Sequence, residues 1–298
     1  MIDLLYAVGH MSSSVRKVVI PVAGFGTRFL PFTKAMPKEM LPIIDTPVIQ
    51  YVVEEAVASG ITDIVLVTSY AKRPIEDHFD INSELEAWLE KQGKAEQLEQ
   101  VRKISSMANF TYVRQKGPYG NATPVACVEH LVGGEPFAVL WGDEFFQGTR
   151  PRLRQMMDVF EKYGDPVIGA VPTDDEGTKK FGIFDPIEEV SEGVARLRDL
   201  VEKPGPEKAP SRLAAMGSYI LTPDIFDELH KLQPGHAGEY FLTDAIRALI
   251  QKRSGYSKVL EGTWFDTGSK IGWLKANLAM ALKREDLASQ VRDMLQSL

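Results

Sequence analysis

The chain lacks most of the features that mark secreted, membrane-spanning or nucleic-acid-binding proteins. Its 298 residues contain one cysteine, Cys127, so no intramolecular disulfide can form and a reducing compartment is expected. No apolar run approaches the length of a membrane span. The 34 basic and 41 acidic residues give a net charge of −7, which argues against a general nucleic-acid binder. These absences predict a cytoplasmic protein with neither nucleic-acid nor membrane partners.

Two further absences narrow the chemistry. The five histidines show no ligand spacing, which argues against zinc. Cys127 lies in an apolar stretch, where a buried and inert thiol is expected. Residues 1–14 include a short apolar piece, Ile2–Val8, without a basic leader, so they do not resemble a signal peptide. We interpret 1–14 as a disordered leader or tag and expect a single domain over 15–298.

Apolar runs alternate with helical patterns from the start of that domain. Val18–Ala23 and Ile64–Val67 are predicted strands. Between them, Thr46 offers an N-cap with Pro47 at the first helical position, and Gly60 closes the helix. This β–α–β order predicts parallel strands joined by a right-handed crossover.

Similar elements continue to the end of the chain. Ser83 and Glu86 have the spacing of a capping box and open a charged helical insertion near 83–103. A C-terminal helical segment begins at about residue 270. The remaining predicted strands are Phe110–Arg114, Phe137–Trp141, Val167–Val171 and Ala214–Leu221, with a polar β-rich stretch over Phe181–Val201; the remaining helices lie near Pro151–Tyr163, Asp224–Lys231 and Tyr240–Lys252. The pattern predicts an α/β fold with a Rossmann-like, mixed but mainly parallel sheet flanked by helices.

The loop Gly24–Arg28, followed by Lys38, is the most informative segment. It follows a predicted strand and has few side chains, so backbone N–H groups can approach a polyphosphate while the two cations neutralise it. An ordinary Gly-rich turn would need neither cation. The dinucleotide fingerprint is broken because Phe29 replaces its third glycine, and no P-loop lysine follows. The segment therefore favours a nucleotide site and disfavours a nicotinamide oxidoreductase.

Two acidic turns are candidate metal positions. Asp143 ends a predicted strand, and the carboxyl ends of strands in open α/β sheets face the ligand crevice. Mg²⁺ takes one or two carboxylates together with phosphate oxygens and water. A turn-capping role remains the alternative for Asp143. The late turn Trp264–Gly268 would, taken alone, be read as structural.

The whole pattern resembles the sugar-phosphate nucleotidyltransferases. Val19–Pro42 matches their signature, and Thr33–Pro42 is most similar to the bacterial UTP–glucose-1-phosphate uridylyltransferases, or UDP-glucose pyrophosphorylases. The insertion after Ser83 resembles the same enzymes, and the likeness runs from about Val15 to about Leu282. It implies a nucleotide-diphospho-sugar transferase fold and Mg²⁺-dependent transfer of a uridylyl group from UTP to glucose 1-phosphate, giving UDP-glucose and pyrophosphate. It also implies a homo-oligomer, dimer or tetramer, for which the apolar helix Leu274–Leu282 is a candidate interface.

The resemblance carries roles over to individual positions. The implied catalytic residues are Arg28, Lys38, Asp143 and Lys203. The implied nucleotide-binding residues are Ala23, Gly24, Gly26, Thr27, Glu39, Gln115 and Gly120, with Gln115 reading the base. The implied sugar-phosphate residues are Gly182, Glu202, Lys203 and Gly217, the glycines making room for a pyranose. Asp143 and Asp266 are the implied Mg²⁺ ligands.

Two departures keep alternatives open. Gly120–Pro124 lacks the histidine-containing pattern of the uridylyltransferases, so a glucose-1-phosphate thymidylyltransferase using dTTP remains a rival. Trp141–Gly142 replaces their usual Leu-Pro before the aspartate. A non-catalytic nucleotide-sugar sensor on the same scaffold is the alternative of another class, which the presence of all the charged positions disfavours.

Overall fold

A computed structural model describes residues 15–235 and 238–297. The predicted leader, 1–14, lies outside this part of the chain. Within the described ranges, no helix combines the length and the apolar character that crossing a membrane requires.

The elements follow the predicted alternation of strands and helices. The strands are β1 (Lys17–Pro21), β2 (Pro42–Ile43), β3 (Thr46–Pro47), β4 (Asp63–Thr68), β5 (Asn109–Arg114), β6 (Phe137–Leu140), β7 (Glu144–Gln147), β8 (Val167–Pro172), β9 (Gly182–Ser191), β10 (Val194–Glu202), β11 (Leu213–Leu221), β12 (Tyr256–Val259) and β13 (Thr263–Asp266). The helices are α1 (Val48–Ala58), α2 (Arg73–Phe79), α3 (Ser83–Lys91), α4 (Ala95–Ser106), α5 (Thr123–Ala126), α6 (Glu129–Val132), α7 (Arg152–Tyr163), α8 (Asp175–Thr178), α9 (Ile225–Leu229), α10 (Leu242–Ile250), α11 (Lys270–Ala281) and α12 (Ala288–Ser297). Helices α3 and α4 occupy the predicted insertion, and α11 and α12 the predicted C-terminal segment.

A mixed sheet organises these elements. In the described part of the chain it has nine strands in the order β5-β4-β1-β6-β11-β8-β12-β10-β9. β5, β4, β1 and β6 are parallel neighbours, as the β–α–β pattern predicted, and β12 runs parallel to β8. β11 runs antiparallel to both β6 and β8, and β9 and β10 form an antiparallel hairpin. The predicted Rossmann-like mixed fold is confirmed, with parallel pairing dominant in the N-terminal half only.

Both faces of the sheet are buried, as the alternation along β1 illustrates. Val18 and Ile20 belong to a cluster on one face with Ile49 and Val52 of α1. Val19 points to the other face, into a cluster that contains side chains of α10. A parallel strand covered on both faces is apolar throughout, which explains why β1 reads as a continuous apolar run.

Two helix starts differ from the prediction. Thr46 is not an N-cap, because Thr46–Pro47 pairs with Pro42–Ile43 as a short strand and Pro47 takes the N-cap position of α1. The capping box at Ser83 is also wrong. Asn82 caps α3, since its Oδ1 accepts from the backbone N–H of Leu85 at 3.0 Å, and Ser83 is already inside the helix. An asparagine is as good a cap as a serine, so local spacing alone chose the wrong neighbour.

Candidate active site

A cleft of about 600 Å³ lies at the carboxyl ends of β1, β5 and β6. Side chains or backbone of many predicted site residues line it: Ala23, Gly24, Arg28, Lys38, Glu39, Gln115, Gly120, Asp143 and Lys203. These positions are distant in sequence and meet because parallel strands deliver their following loops to one edge of the sheet. Gly26, Thr27, Gly182, Glu202, Gly217 and Asp266 lie behind or beside this lining.

The glycine loop after β1 wraps around the Lys38 side chain. A Cβ on Gly24 would lie 3.8 Å from Lys38 Nζ. Gly26 has a φ of +67°, and a Cβ there would lie only 3.1 Å from both Lys38 Cβ and Thr33 Cγ2. Thr33 Oγ1 donates to the Gly26 carbonyl at 2.7 Å, and Thr27 then begins a short 3₁₀ turn. A side chain at Gly26 would be strained and would crowd Lys38, so this position needs glycine, whereas a Cβ at Gly24 would only make ordinary van der Waals contact with the lysine.

Lys38 and Asp143 form the central ion pair of the cleft. Lys38 Nζ lies 2.6 Å from Asp143 Oδ2. Burial raises the pKa of Asp143, but the charge and hydrogen bond of Lys38 outweigh it, so the net pKa of Asp143 is below its ordinary value. Burial likewise lowers the pKa of Lys38, yet Asp143 and Glu39 raise it to about 12. Both groups are therefore charged at neutral pH.

Asp266 is brought to Asp143 by the β7–β13 ladder. Asp266 pairs with Glu144 in register, and Thr267 Oγ1 donates to the Asp143 carbonyl at 2.6 Å. A Cβ on Gly268 would lie 3.1 Å from both Asp143 Oδ2 and Asp266 Oδ1, so the two carboxylates flank one point. Burial, reinforced by the nearby Asp143, raises the pKa of Asp266. Two carboxylates at one point suit a divalent cation that completes its shell with phosphate and water.

Arg28 and Glu39 occupy different surroundings. Arg28 is exposed, and its Nη1 donates to the Gly268 carbonyl at 3.2 Å, which ties the early loop to the late acidic turn. Glu39 is buried and pairs with Lys72, whose Nζ lies 2.8 Å from Glu39 Oε2. Burial raises the pKa of Glu39, against the opposing charges of Lys72 and Lys38. Glu39 thus lines the cleft as an almost fully buried carboxylate paired with Lys72, and no local sequence signal connects these two residues.

Among the described residues, no group of three or more His, Cys, Asp or Glu side chains is arranged to hold a metal ion.

Gln115 and Gly120 lie on the loop after β5. The Gln115 backbone N–H donates to the Thr68 carbonyl at 2.8 Å, extending the β4–β5 pairing to the cleft. Gly120 has a φ of +143°, and a Cβ there would lie 2.3 Å from the backbone N of Tyr240. Tyr240 N–H donates to the Tyr119 carbonyl at 3.1 Å. Gly120 therefore permits a close approach of two backbones, which accounts for the glycine without any ligand.

The predicted sugar-phosphate residues surround the end of β10. Lys203, at a φ of 45°, places its Nζ 3.2 Å from Glu202 Oε1. Thr243 Oγ1 donates to Glu202 Oε2 at 2.8 Å. Gly182 pairs with Glu202 across the β9–β10 hairpin, and a Cβ on Gly182 would lie 3.4 Å from Glu202 Oε2. Gly182 leaves room for the Thr243 methyl group, 3.1 Å from the Cβ position, and for this carboxylate, to which Thr243 donates its hydrogen bond.

Gly217 has a different neighbour from the one expected. A Cβ there would lie 1.8 Å from Trp141 Cδ1, so the indole covers the glycine. Trp141 lines the cleft and meets the Tyr219 ring edge-on, with centroids 5.6 Å apart. The missing side chain at Gly217 therefore makes room for Trp141. Nothing in the local sequence pairs these two positions.

Other residues at the site were not singled out by the sequence. Three aromatic residues also line the cleft: Phe25, Tyr119 and Phe241. The sequence patterns of their loops concern glycines and charged residues and predict no role for these rings. Cys127 is half-buried, whereas the sequence predicted a buried thiol. Its Sγ donates to the Lys116 carbonyl at 3.1 Å and accepts from the Lys116 N–H at 3.3 Å. The thiol therefore supports the loop that follows Gln115.

Arg152 is a charged residue near the site that the sequence analysis did not identify. It is fully buried on α7, with Nε 2.9 Å from Glu55 Oε2 and Nη1 3.0 Å from Glu144 Oε1. Glu144 directly follows Asp143, so this cluster connects the acidic turn to α1 through Glu55.

Comparisons with known proteins agree with this geometry. Residues 17–282 match the family model described as nucleotidyl transferase. The UTP–glucose-1-phosphate uridylyltransferase YngB of Bacillus subtilis (strain 168) is 48% identical over 282 residues, which cover 94% of each chain. A second UTP–glucose-1-phosphate uridylyltransferase of that organism is 47% identical over 95% of this chain and 97% of its own.

Solved structures give the same result. A UTP-bound enzyme of this kind from Acinetobacter baumannii has a TM-score of 0.87 at 35% identity, covering 95% of this chain and 99% of its own. A UDP-glucose pyrophosphorylase complexed with UDP-glucose has a TM-score of 0.83 at 39% identity, covering 91% of this chain and 100% of its own. The resemblance inferred from the motifs is confirmed: the chain belongs to the nucleotidyl transferase family, among the UTP–glucose-1-phosphate uridylyltransferases.

Proposed function

We propose that this chain transfers the uridylyl group of UTP to glucose 1-phosphate, releasing pyrophosphate and forming UDP-glucose. The observation that carries the proposal is the convergence of Arg28, Lys38, Lys203 and the Asp143–Asp266 pair on one cleft beside a glycine loop. In a protein with a net charge of −7, three cations gathered at one cleft fit two phosphate-bearing substrates.

The nucleophile needs no general base. A phosphate monoester is largely dianionic near neutral pH, because its second pKa is about 6. Its oxygen attacks the α-phosphorus in line, the bond to the bridging oxygen of the β-phosphate breaks, and pyrophosphate departs. No covalent enzyme intermediate is needed. The task of the protein is to align two mutually repelling anions and neutralise them.

The cations divide this task. Arg28 and Lys38 stabilise the charge that accumulates on the departing phosphates, and Lys203 binds the phosphate of the sugar. Glu202 accepts hydrogen bonds from sugar hydroxyls, while Thr243 and Gly182 hold it in position. Ala23, Gly24 and Gly120 contribute backbone to the nucleoside, and the Gln115 amide pairs with the base.

Asp143 and Asp266 would hold Mg²⁺. The fit rests on the two carboxylates that flank one point beside Gly268, an oxygen donor set of the kind Mg²⁺ prefers. When bound, the ion supplies positive charge to the phosphates of both substrates. Lys38, whose Nζ lies 2.6 Å from Asp143 Oδ2, lowers the pKa of that carboxyl and so keeps it in the charged form that a cation requires.

One screen tests the proposal. Pyrophosphate release is measured for UTP and dTTP against glucose 1-phosphate and galactose 1-phosphate, with and without MgCl₂. We expect release with UTP and glucose 1-phosphate in the presence of Mg²⁺. Preferred use of dTTP would favour the thymidylyltransferase. Absence of release with every pair would favour the sensor.

Assembly and location belong to the same proposal. A homo-oligomer is supported by α11, where Ile271 and Leu274 expose large apolar side chains that a partner subunit would cover. Light scattering coupled to gel filtration measures the assembly directly. The single cysteine fits a cytoplasmic, reducing environment.

A further inference from the structure

Two aromatic rings stand exposed at the cleft. Phe25 is 73% and Tyr119 is 56% exposed, and both line the cleft. Their centroids are 6.1 Å apart and their planes differ by 14°, so the rings stack on each other. Large aromatic side chains that remain in water do not contribute the stabilisation that burial would provide. An exposed ring pair at a cleft therefore indicates a surface that a ligand can cover.

The loops that carry these rings are hydrogen-bonded to neighbouring segments. Phe25 lies between Gly24 and Gly26, and the Gly26 carbonyl accepts from Thr33 Oγ1 at 2.7 Å. The Tyr119 carbonyl accepts from the Tyr240 N–H at 3.1 Å. Hydrogen bonds at or beside each ring-bearing residue therefore tie both loops to neighbouring segments.

The pair spans the base-binding half of the cleft. Phe25 follows β1 and Tyr119 follows β5, and β4 lies between these two strands in the sheet. The contact of the rings therefore bridges the end of β4. Gln115, which the proposed function assigns to the base, lies on the same loop as Tyr119.

We infer that Phe25 and Tyr119 form an aromatic clasp that holds the nucleobase and ribose of the substrate in the cleft. The inference rests on the proposed function and adds to it a source of affinity separate from base recognition. Stacking on an aromatic ring tolerates any base, since every base has a π-face. The clasp therefore supplies affinity, and Gln115 supplies discrimination.

The test measures binding rather than turnover. Dissociation constants of UTP, dTTP and pyrophosphate are determined by calorimetry for the unaltered chain, Phe25→Ala, Tyr119→Ala and the double variant. Each single variant is expected to raise the Kd of UTP about ten-fold, and that of dTTP by the same factor. The Kd of pyrophosphate stays unchanged, because it has no base. Since the rings contact each other, the double variant loses less than the product of the single losses.

Controls separate the clasp from general damage. Tyr119→Phe keeps the ring and is expected to bind UTP as the unaltered chain does. Trp88→Ala removes a ring that is 49% exposed on α3, outside the cleft, and should leave every Kd unchanged. A UTP Kd within two-fold of the unaltered chain in both alanine variants would overturn the clasp, as would a parallel loss of pyrophosphate affinity. If the unaltered chain itself fails to bind UTP, the proposed function fails instead.

Discussion

The two ends of the cleft are built in opposite ways; we call them the phosphate end and the base end after the groups that we propose they bind. At the phosphate end, charged side chains already have partners: Lys38 pairs with Asp143, and Arg28 donates to the Gly268 carbonyl. At the base end, Phe25 and Tyr119 stand in solvent on loops held by backbone contacts. The charges of the site are thus pre-arranged, whereas its aromatic surface is exposed and available to a ligand. Pre-arranged charge suits a transition state, and an exposed ring suits binding.

Asp143→Ala is expected to have the largest effect. It removes a proposed Mg²⁺ ligand and the partner of Lys38, so kcat should fall by about 10³-fold or more. Steady-state pyrophosphate release measures the loss, and near-ultraviolet circular dichroism confirms that the fold is retained. As a matched control, Asp158→Ala alters an aspartate that pairs with Arg150 and Arg154 away from the cleft. Near-normal turnover of Asp143→Ala would refute the metal assignment.

Arg152→Met tests how much the buried ion cluster next to Asp143 contributes to the free energy of unfolding. It leaves Glu55 and Glu144 buried without their cation, which should cost about 4 kcal/mol of unfolding free energy in urea. Arg154→Met, on the same helix, breaks solvent-accessible ion pairs and should cost less than about 1 kcal/mol. Equal losses of unfolding free energy in the two variants would show that the buried cluster stabilises the fold no more than the solvent-accessible ion pairs do.

Gly120→Ala tests the backbone of the base end. The new Cβ would meet the Tyr240 backbone at 2.3 Å, so we expect a loss of about 3 kcal/mol together with weaker UTP binding. Gly164→Ala is the control, because Gly164 lies in the left-handed region with a φ of +70° and nothing within 4 Å of its Cβ position. It should cost only about 1 kcal/mol, the strain of the positive φ alone. Equal losses of stability in the two variants would mean that the close contact with the Tyr240 backbone adds nothing to the cost of the substitution.

Thr243→Val should give the smallest effect. It removes the hydroxyl that donates to Glu202 while keeping the shape of the side chain. Loss of one such bond, about 1 kcal/mol, should raise the KM for glucose 1-phosphate about five-fold and leave the KM for UTP unchanged. Thr243→Ser retains the hydroxyl and should behave as the unaltered chain. A change in the KM for UTP instead would contradict the assignment of Glu202 to sugar binding.

Some features of the fold and the site could be predicted from the sequence, and others could not. Lys38, Arg28 and Asp143 could be found because each follows a predicted strand within a local motif, and strand ends converge in an α/β sheet. The cap of α3 was missed because Asn82 and Ser83 are equally good caps, and only the bonded geometry distinguishes them. The mainly parallel sheet was predicted from the first β–α–β unit, whereas β9–β11 pair antiparallel through contacts that no local pattern encodes.

The sequence alone determined the local features: the apolar strands, the glycine loop with its cations, and the acidic turns. Each depends on the conformational preferences and spacing of neighbouring residues. Tertiary structure decided the rest, including the pairing of Lys38 with Asp143, the indole over Gly217 and the contact between Phe25 and Tyr119. These contacts join residues far apart in the chain, and they form only when the sheet and the buried clusters on its two faces fix which loops meet.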